Sequence, residues 1–266
     1  MNKKIASLLV GVLGLGALTA SAQTPAPAPA AAPTTGSWVI TPAVASQYMF
    51  RGTRLGGPSF EPTIEYDYGS LAVGVWGNIP IKDKVDGQSD PEFDFYGSYT
   101  MDLVKDSLTV VPGVTIYTYP NAKKADGFYT TTFEPNIALN YTIGALKLTP
   151  KLYYDFVLKG PTYELTAAFT VPLKNLNTEL DFTGTYGTFK WKDFAPSTTP
   201  DIKNWGDYYL LGVALPFQIN KDSKFTIGWA YTKGSSNFLK QGTAPKVANS
   251  AAVSRGVLTL SYAITF

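Results

Sequence analysis

From Ser37 onward, apolar and polar side chains alternate in short runs that follow one another closely along the chain. The cleanest run covers residues 145–159. Leu146, Leu148, Pro150, Leu152, Tyr154, Phe156 and Leu158 share one parity, and Lys147, Thr149, Lys151, Tyr153, Asp155, Val157 and Lys159 share the other. Successive side chains of a strand point to opposite faces, so this period predicts strands with one apolar and one polar face. The same pattern sets Phe93, Phe95, Tyr99 and Met101 against Glu92, Asp94, Tyr96 and Ser98. Near the C-terminus it sets Leu258, Leu260, Tyr262, Ile264 and Phe266 against Val257, Thr259, Ser261, Ala263 and Thr265. About twelve such segments are expected, each about ten to fourteen residues long, enough to cross a bilayer at a tilt. They cover residues 37–51, 58–68, 70–80, 91–102, 107–119, 129–142, 145–159, 161–172, 176–189, 205–218, 223–234 and 254–266.

A soluble sandwich also alternates, so the connections carry the discrimination. Every second one is very short, as at Asp67–Ser70, Val104–Asp106, Ile143–Gly144, Lys174–Asn175 and Asn220–Asp222. Those between tend to be longer and polar, as at Gly52–Gly57, Ile81–Asp90, Pro120–Phe128, Lys190–Asn204 and Gly234–Val253; Gly160 is the exception. Short turns at one end and long loops at the other predict an all-β fold. The expected architecture is a transmembrane up-and-down antiparallel β-barrel of about 12 strands over residues 37–266. Aromatics near segment ends (Trp38, Tyr48, Phe50, Tyr66, Tyr68, Tyr117, Tyr119, Tyr141, Trp205) are expected in two interfacial girdles. Phe60-Glu61-Pro62-Thr63-Ile64 and Phe133-Glu134-Pro135-Asn136-Ile137 echo each other at the start of two strands. Pro42, Pro62, Pro112, Pro135 and Pro150 fall on the apolar parity, where each predicts a bulge or bend because it removes a ladder bond.

The N-terminus changes the picture by adding a compartment. Lys3 and Lys4, the apolar stretch Ile5–Leu18 and Ala20-Ser21-Ala22 read as a signal peptide over residues 1–22. Residues 23–36, rich in Pro and Ala, read as a periplasmic linker. Without Lys3 and Lys4, 20 of the 22 basic residues face 20 acidic ones, a net charge of zero that gives no reason to expect nucleic-acid binding. No later segment reaches the length of a membrane-spanning helix, which leaves a barrel as the membrane form. A strand ending on Phe266 resembles the closing strand of bacterial outer-membrane barrels. That resemblance implies Phe266, Ile264 and Tyr262 as the assembly signal read by the barrel-assembly machinery, in the outer membrane of a Gram-negative-type bacterium.

Ser46-Gln47-Tyr48-Met49-Phe50-Arg51-Gly52 resembles the S-x-Y-x-F-R-G signature that opens the TorF family of porin-like outer-membrane proteins. Gly74-Val75-Trp76-Gly77-Asn78, Phe95-Tyr96-Gly97-Ser98-Tyr99 and Tyr117-Thr118-Tyr119-Pro120 extend the resemblance, which is strong up to about residue 140. It implies an outer-membrane barrel with a channel role and supplies no substrate.

With the apolar parity toward lipid, the polar parity lines the lumen. The pore-lining candidates are Arg51, Glu61, Glu65, Glu92, Asp94, Glu134, Lys147, Lys151, Asp155, Glu164, Glu179, Asp181 and Arg255, joined by Asp67, Lys224 and Asp207. The bulky Trp76, Tyr96, Tyr153 and Phe189 are candidates to plug the lumen. The long loops carry more lysine and arginine than acid, Lys82, Lys123, Lys190 and Lys240 among them. A histidine and a cysteine are both lacking, which removes Ser-His chemistry and thiolate metal sites. Glu92 with Asp94, and Glu179 with Asp181, are simpler as neighbours on one wall than as acid/base pairs. The expectation is therefore a channel for passive diffusion of small hydrophilic solutes, neither an enzyme nor a cofactor protein, with outer-membrane lipid around it. The alternative is a closed structural or adhesive barrel acting through its extracellular loops. Arg51, on the polar parity at the end of the first segment, is expected beside Arg255 at the loop rim, or as a brace to Glu61 or Asp94.

Overall fold

The protein is described as a computed structural model covering residues 36–84, 90–122, 129–192, 203–234 and 254–266. The expected signal peptide and all but the end of the linker lie outside the described residues, as do Lys123 and Lys240 of the long loops.

One sheet of fifteen segments closes on itself. Three crossings are interrupted once each, so fifteen less three leaves twelve antiparallel crossings. These are β1 (Ser37–Thr41 and Ala43–Ala45), β2 (Ser59–Phe60 and Thr63–Tyr68), β3 (Leu71–Pro80) and β4 (Glu92–Tyr99 and Met101–Val104). They continue as β5 (Leu108–Thr118), β6 (Thr131–Ile143), β7 (Leu146–Asp155) and β8 (Gly160–Leu173). The last four are β9 (Thr178–Lys192), β10 (Lys203–Asn220), β11 (Ser223–Gly234) and β12 (Arg255–Thr265). Each pairs with its sequence neighbour, and β12 returns to β1 through Val39↔Thr265 and Ala45↔Thr259. Among the described residues the one helical element is a single 3-10 turn, Lys174–Leu176, at a short-turn end.

The alternation decides the faces. On β7, Leu146, Leu152 and Tyr154 are exposed outside while Thr149, Lys151, Tyr153 and Asp155 are buried inside. On β4, Phe95, Tyr99 and Met101 point out, and Glu92 and Asp94 point in. On β12, Leu258, Leu260 and Phe266 are outside, with Val257, Thr259, Ser261 and Ala263 inside. Outside aromatics gather toward the short-turn end (Trp38, Tyr68, Tyr99, Tyr141) and the loop end (Tyr163, Tyr186, Trp205, Tyr209).

Several expectations need correction. The first segment does not run to Arg51; it stops at Ala45, and Tyr48–Phe50 and Thr53–Gly56 form a separate two-stranded hairpin. Tyr48, Phe50, Tyr117 and Tyr119 therefore leave the outer girdle and pack together inside. The seventh strand ends at Asp155, because its carboxylate accepts the backbone N–H of Val157 and of Leu158 at 2.7 Å each and turns the chain. Leu158 then swings into an interior cluster with Phe189, Trp191 and Tyr208 instead of facing outward. Asp207 shares the outward parity of the exposed Trp205 and Tyr209, so it does not point inward. Pro42 and Pro62 do interrupt β1 and β2, and the β6–β7 ladder has a gap opposite Pro150. Pro112 and Pro135 instead sit in unbroken register, paired with Ile137 and Val114.

Candidate functional site

The connection between β1 and β2 folds into the barrel. Phe50 pairs with Thr53, leaving Arg51 and Gly52 as a two-residue turn. Both have positive φ, 46° and 77°, as the tight hairpin turn with the twist of its strands requires. Glycine adopts this region freely, whereas arginine there carries a real cost. Gly52 also packs where nothing larger fits: a Cβ would lie 2.5 Å from the Cα of Gly234 on β11. The base of the hairpin is held on β12, where Ser46 N–H donates to the Leu258 carbonyl and Leu258 N–H donates to Ser46 Oγ, both at 2.9 Å.

Three consecutive hairpin side chains meet three parts of the wall. Tyr48 packs with Trp76 and Tyr117. Met49 packs with Ala45, Leu210, Ala230 and Val257. Phe50 lies 6.1 Å from the Trp191 ring and 5.9 Å from that of Tyr117. Of the expected plugging residues, Trp76, Tyr153 and Phe189 are buried and Tyr96 packs against the Tyr48 cluster. Together with Tyr48, Met49 and Phe50 of the hairpin they pack into the loop half of the barrel interior.

At its tip Arg51 is buried, and its two terminal nitrogens donate to the two Glu134 oxygens at 2.8 and 2.9 Å. Tyr117 donates to the same carboxylate at 2.8 Å. The guanidinium carbon lies 4.8, 4.7 and 4.9 Å from the ring centres of Phe50, Tyr153 and Trp191. Such a bidentate pair and stacked geometry suit the planar guanidinium. Arg51 thus braces the hairpin against Glu134, not Glu61 or Asp94, and it does not form a rim pair with Arg255, which donates to the Ser254 carbonyl.

The remaining candidates divide by depth. Toward the loops, Glu61 accepts from Ser59 and Asn78, and Glu92 accepts from Tyr48 at 2.6 Å and Tyr119 at 3.0 Å. Asp94 is buried beside them on β4. Glu164 accepts from Tyr153 and Tyr208. Lys151 is buried with its ammonium 4.6 Å from the Tyr153 ring, and Asp155 serves the β7–β8 turn. Toward the short turns, Glu65, Lys147, Glu179 and Asp181 are half-buried on the inward parity. There Tyr96 donates to Glu65 and Thr170 donates to Asp181. Tyr262 and Ile264 lie on the outward parity, and Phe266 exchanges backbone hydrogen bonds with Trp38. Sequence reasoning missed the hairpin itself. Its one local signal is Gly52, which suits a tight turn; Tyr48 and Phe50 keep the even, apolar parity of Trp38, Ile40 and Val44, so the alternation reads straight through as one strand.

Residues 27–176 match the model of a family described as bacterial proteins of unknown function, Gcw_chp. The match spans more than half the chain, and the chain belongs to that family. Among solved structures, the chain is similar to the COG4313 outer membrane channel from Pseudomonas putida F1, at 9% identity and a TM-score of 0.53 over 90% of this chain and 96% of that one. It is also similar to the KdgM porin, at 11% identity and a TM-score of 0.51 over 86% of this chain and 99% of that one. At such identities the likeness is one of fold. No curated protein matches the sequence.

Proposed function

We propose that this member of the Gcw_chp family is an outer-membrane, porin-like channel for small hydrophilic solutes, narrowed by its own first loop. The observation that carries the reading is the contrast between the two halves of the lumen. In the loop half the hairpin and its clusters bury the inward carboxylates; in the short-turn half Glu65, Asp67, Lys147, Glu179, Asp181 and Lys224 keep partial exposure, with the small Ala214 opposite Asp181 and Ala263 opposite Lys224. Charged groups are retained away from water only at high cost, so half-exposed ones on an inward face indicate a wetted vestibule below the constriction.

The exterior supports a membrane setting. Large apolar side chains exposed around the whole barrel would be an aggregation surface in water and are the expected face toward lipid. The TorF-like signature belongs to this reading as well, since it is the hairpin that forms the constriction. The three-sided packing of that hairpin favours a second state, a barrel shut at rest that opens when the hairpin moves. Proteoliposome swelling with small sugars and amino acids tests the proposal. Permeation that falls with solute size supports a channel, and vesicles impermeable to all of them, with the hairpin both intact and removed, overturn it.

A further inference from the structure

We propose that the wall pocket holding Arg51 is a binding site for guanidinium-bearing cations, with Arg51 as a ligand tethered to the hairpin. The inference rests on the channel reading and deepens it by naming a solute class. Glu134 of β6 presents both oxygens in one plane, Tyr117 of β5 fixes that carboxylate, and the rings of Tyr153 and Trp191 stand over the guanidinium carbon at 4.7 and 4.9 Å. All four side chains belong to the barrel wall and are buried. Their arrangement survives removal of the hairpin, because each ring is packed or bonded to other wall residues: Tyr153 to Glu164, Trp191 to Thr162 and Phe189.

The chemistry of the pocket is selective. A flat fork of N–H donors satisfies both carboxylate oxygens and presents a weakly hydrated face to the rings, which a spherical ammonium cannot do at once. The tethered occupant is held under strain, since Arg51 takes a positive φ and its buried Nε finds no acceptor. A free guanidinium cation escapes both costs. It therefore competes with Arg51 for Glu134, and when it wins the hairpin tip loses its anchor and the constriction widens.

The test uses full-length protein in planar bilayers and in detergent, with guanidinium chloride and agmatine as probes and sodium chloride, methylammonium chloride and urea as controls. Millimolar agmatine should raise wild-type conductance. In Arg51→Ala, guanidinium should raise the thermal unfolding midpoint saturably, methylammonium and urea should not, and Arg51→Ala with Glu134→Gln should lose the response. Arg51→Lys provides the same comparison if the alanine variant assembles poorly. A midpoint in Arg51→Ala that follows guanidinium no differently from sodium overturns the site. So does a conducting wild type whose conductance is indifferent to agmatine. If wild type and hairpin-deleted protein are both non-conducting, the channel reading falls, while the midpoint shift still decides the pocket.

Discussion

Arg51 and Glu134 lie 83 positions apart in the chain and form a two-pronged ion pair inside the barrel, at 2.8 and 2.9 Å. The pair joins the tip of a loop hairpin to the opposite wall. Removing one partner from such a buried pair costs about 3–5 kcal/mol, because the other charge is left without compensation. The wall is held by its own ladder, so the expected outcome of Glu134→Gln is release of the hairpin while the barrel stays folded. Trypsin checks this: the wild type should resist cleavage after Arg54, and the variant should be cut there while remaining heat-modifiable.

Arg51→Gln leaves the carboxylate in place and removes the cation. The reversal potential in a salt gradient should move toward cations while assembly is unaffected. An unchanged potential would reduce Arg51 to a strut without electrical consequence.

Gly52→Ala tests the hairpin from its other side. The new methyl meets the Gly234 backbone and the residue must hold a φ of 77°. The left-handed conformation alone costs about 1–2 kcal/mol. The same trypsin site should open, with Glu134 and Arg51 both intact.

The two faces predict opposite tolerances. Arginine at Leu152, exposed on the outer face, should cost about 2–4 kcal/mol at the bilayer midplane. At the neighbouring Lys151, buried inside beside Tyr153, arginine should cost much less. Reversible unfolding in lipid distinguishes them, and equal costs would invert the assignment of inside and outside.

Much of this was legible because a strand repeats every two residues and a barrel has only two faces. The parity of Leu152 against Lys151, or of Phe95 against Asp94, settles which side each takes once closure is known. Glu61 and Glu134, the echoed pair, both take the inward parity from the pattern alone. The hairpin was not legible, because Tyr48-Met49-Phe50 has strand character wherever it goes. Only the shape of the lumen decides that it folds inward rather than extending β1. The identity of the Arg51 partner was hidden for the same reason: Glu61, Asp94 and Glu134 are equivalent in sequence, and the reach of the hairpin selects the third. The alternation puts Leu158 outward because it cannot show that the turn made by Asp155 resets the parity after it.

Closure makes a further demand at the seam. Trp38 N–H donates to the Phe266 carbonyl at 3.3 Å, and Phe266 N–H donates to the Trp38 carbonyl at 2.9 Å. Deleting Phe266 removes both bonds and an outward aromatic. We expect less heat-modifiable barrel in the membrane fraction and more unassembled chain in the periplasm, measured by fractionation and unheated gels.

Single-channel conductance of the wild type beside a variant in which residues 47–56 are replaced by a short Gly-Ser linker tests the central claim most directly. If the hairpin forms the constriction of a channel, the wild type conducts weakly or in brief openings, and the variant conducts steadily at a level several times higher. Equal conductance in the two proteins, or none in either, would contradict it.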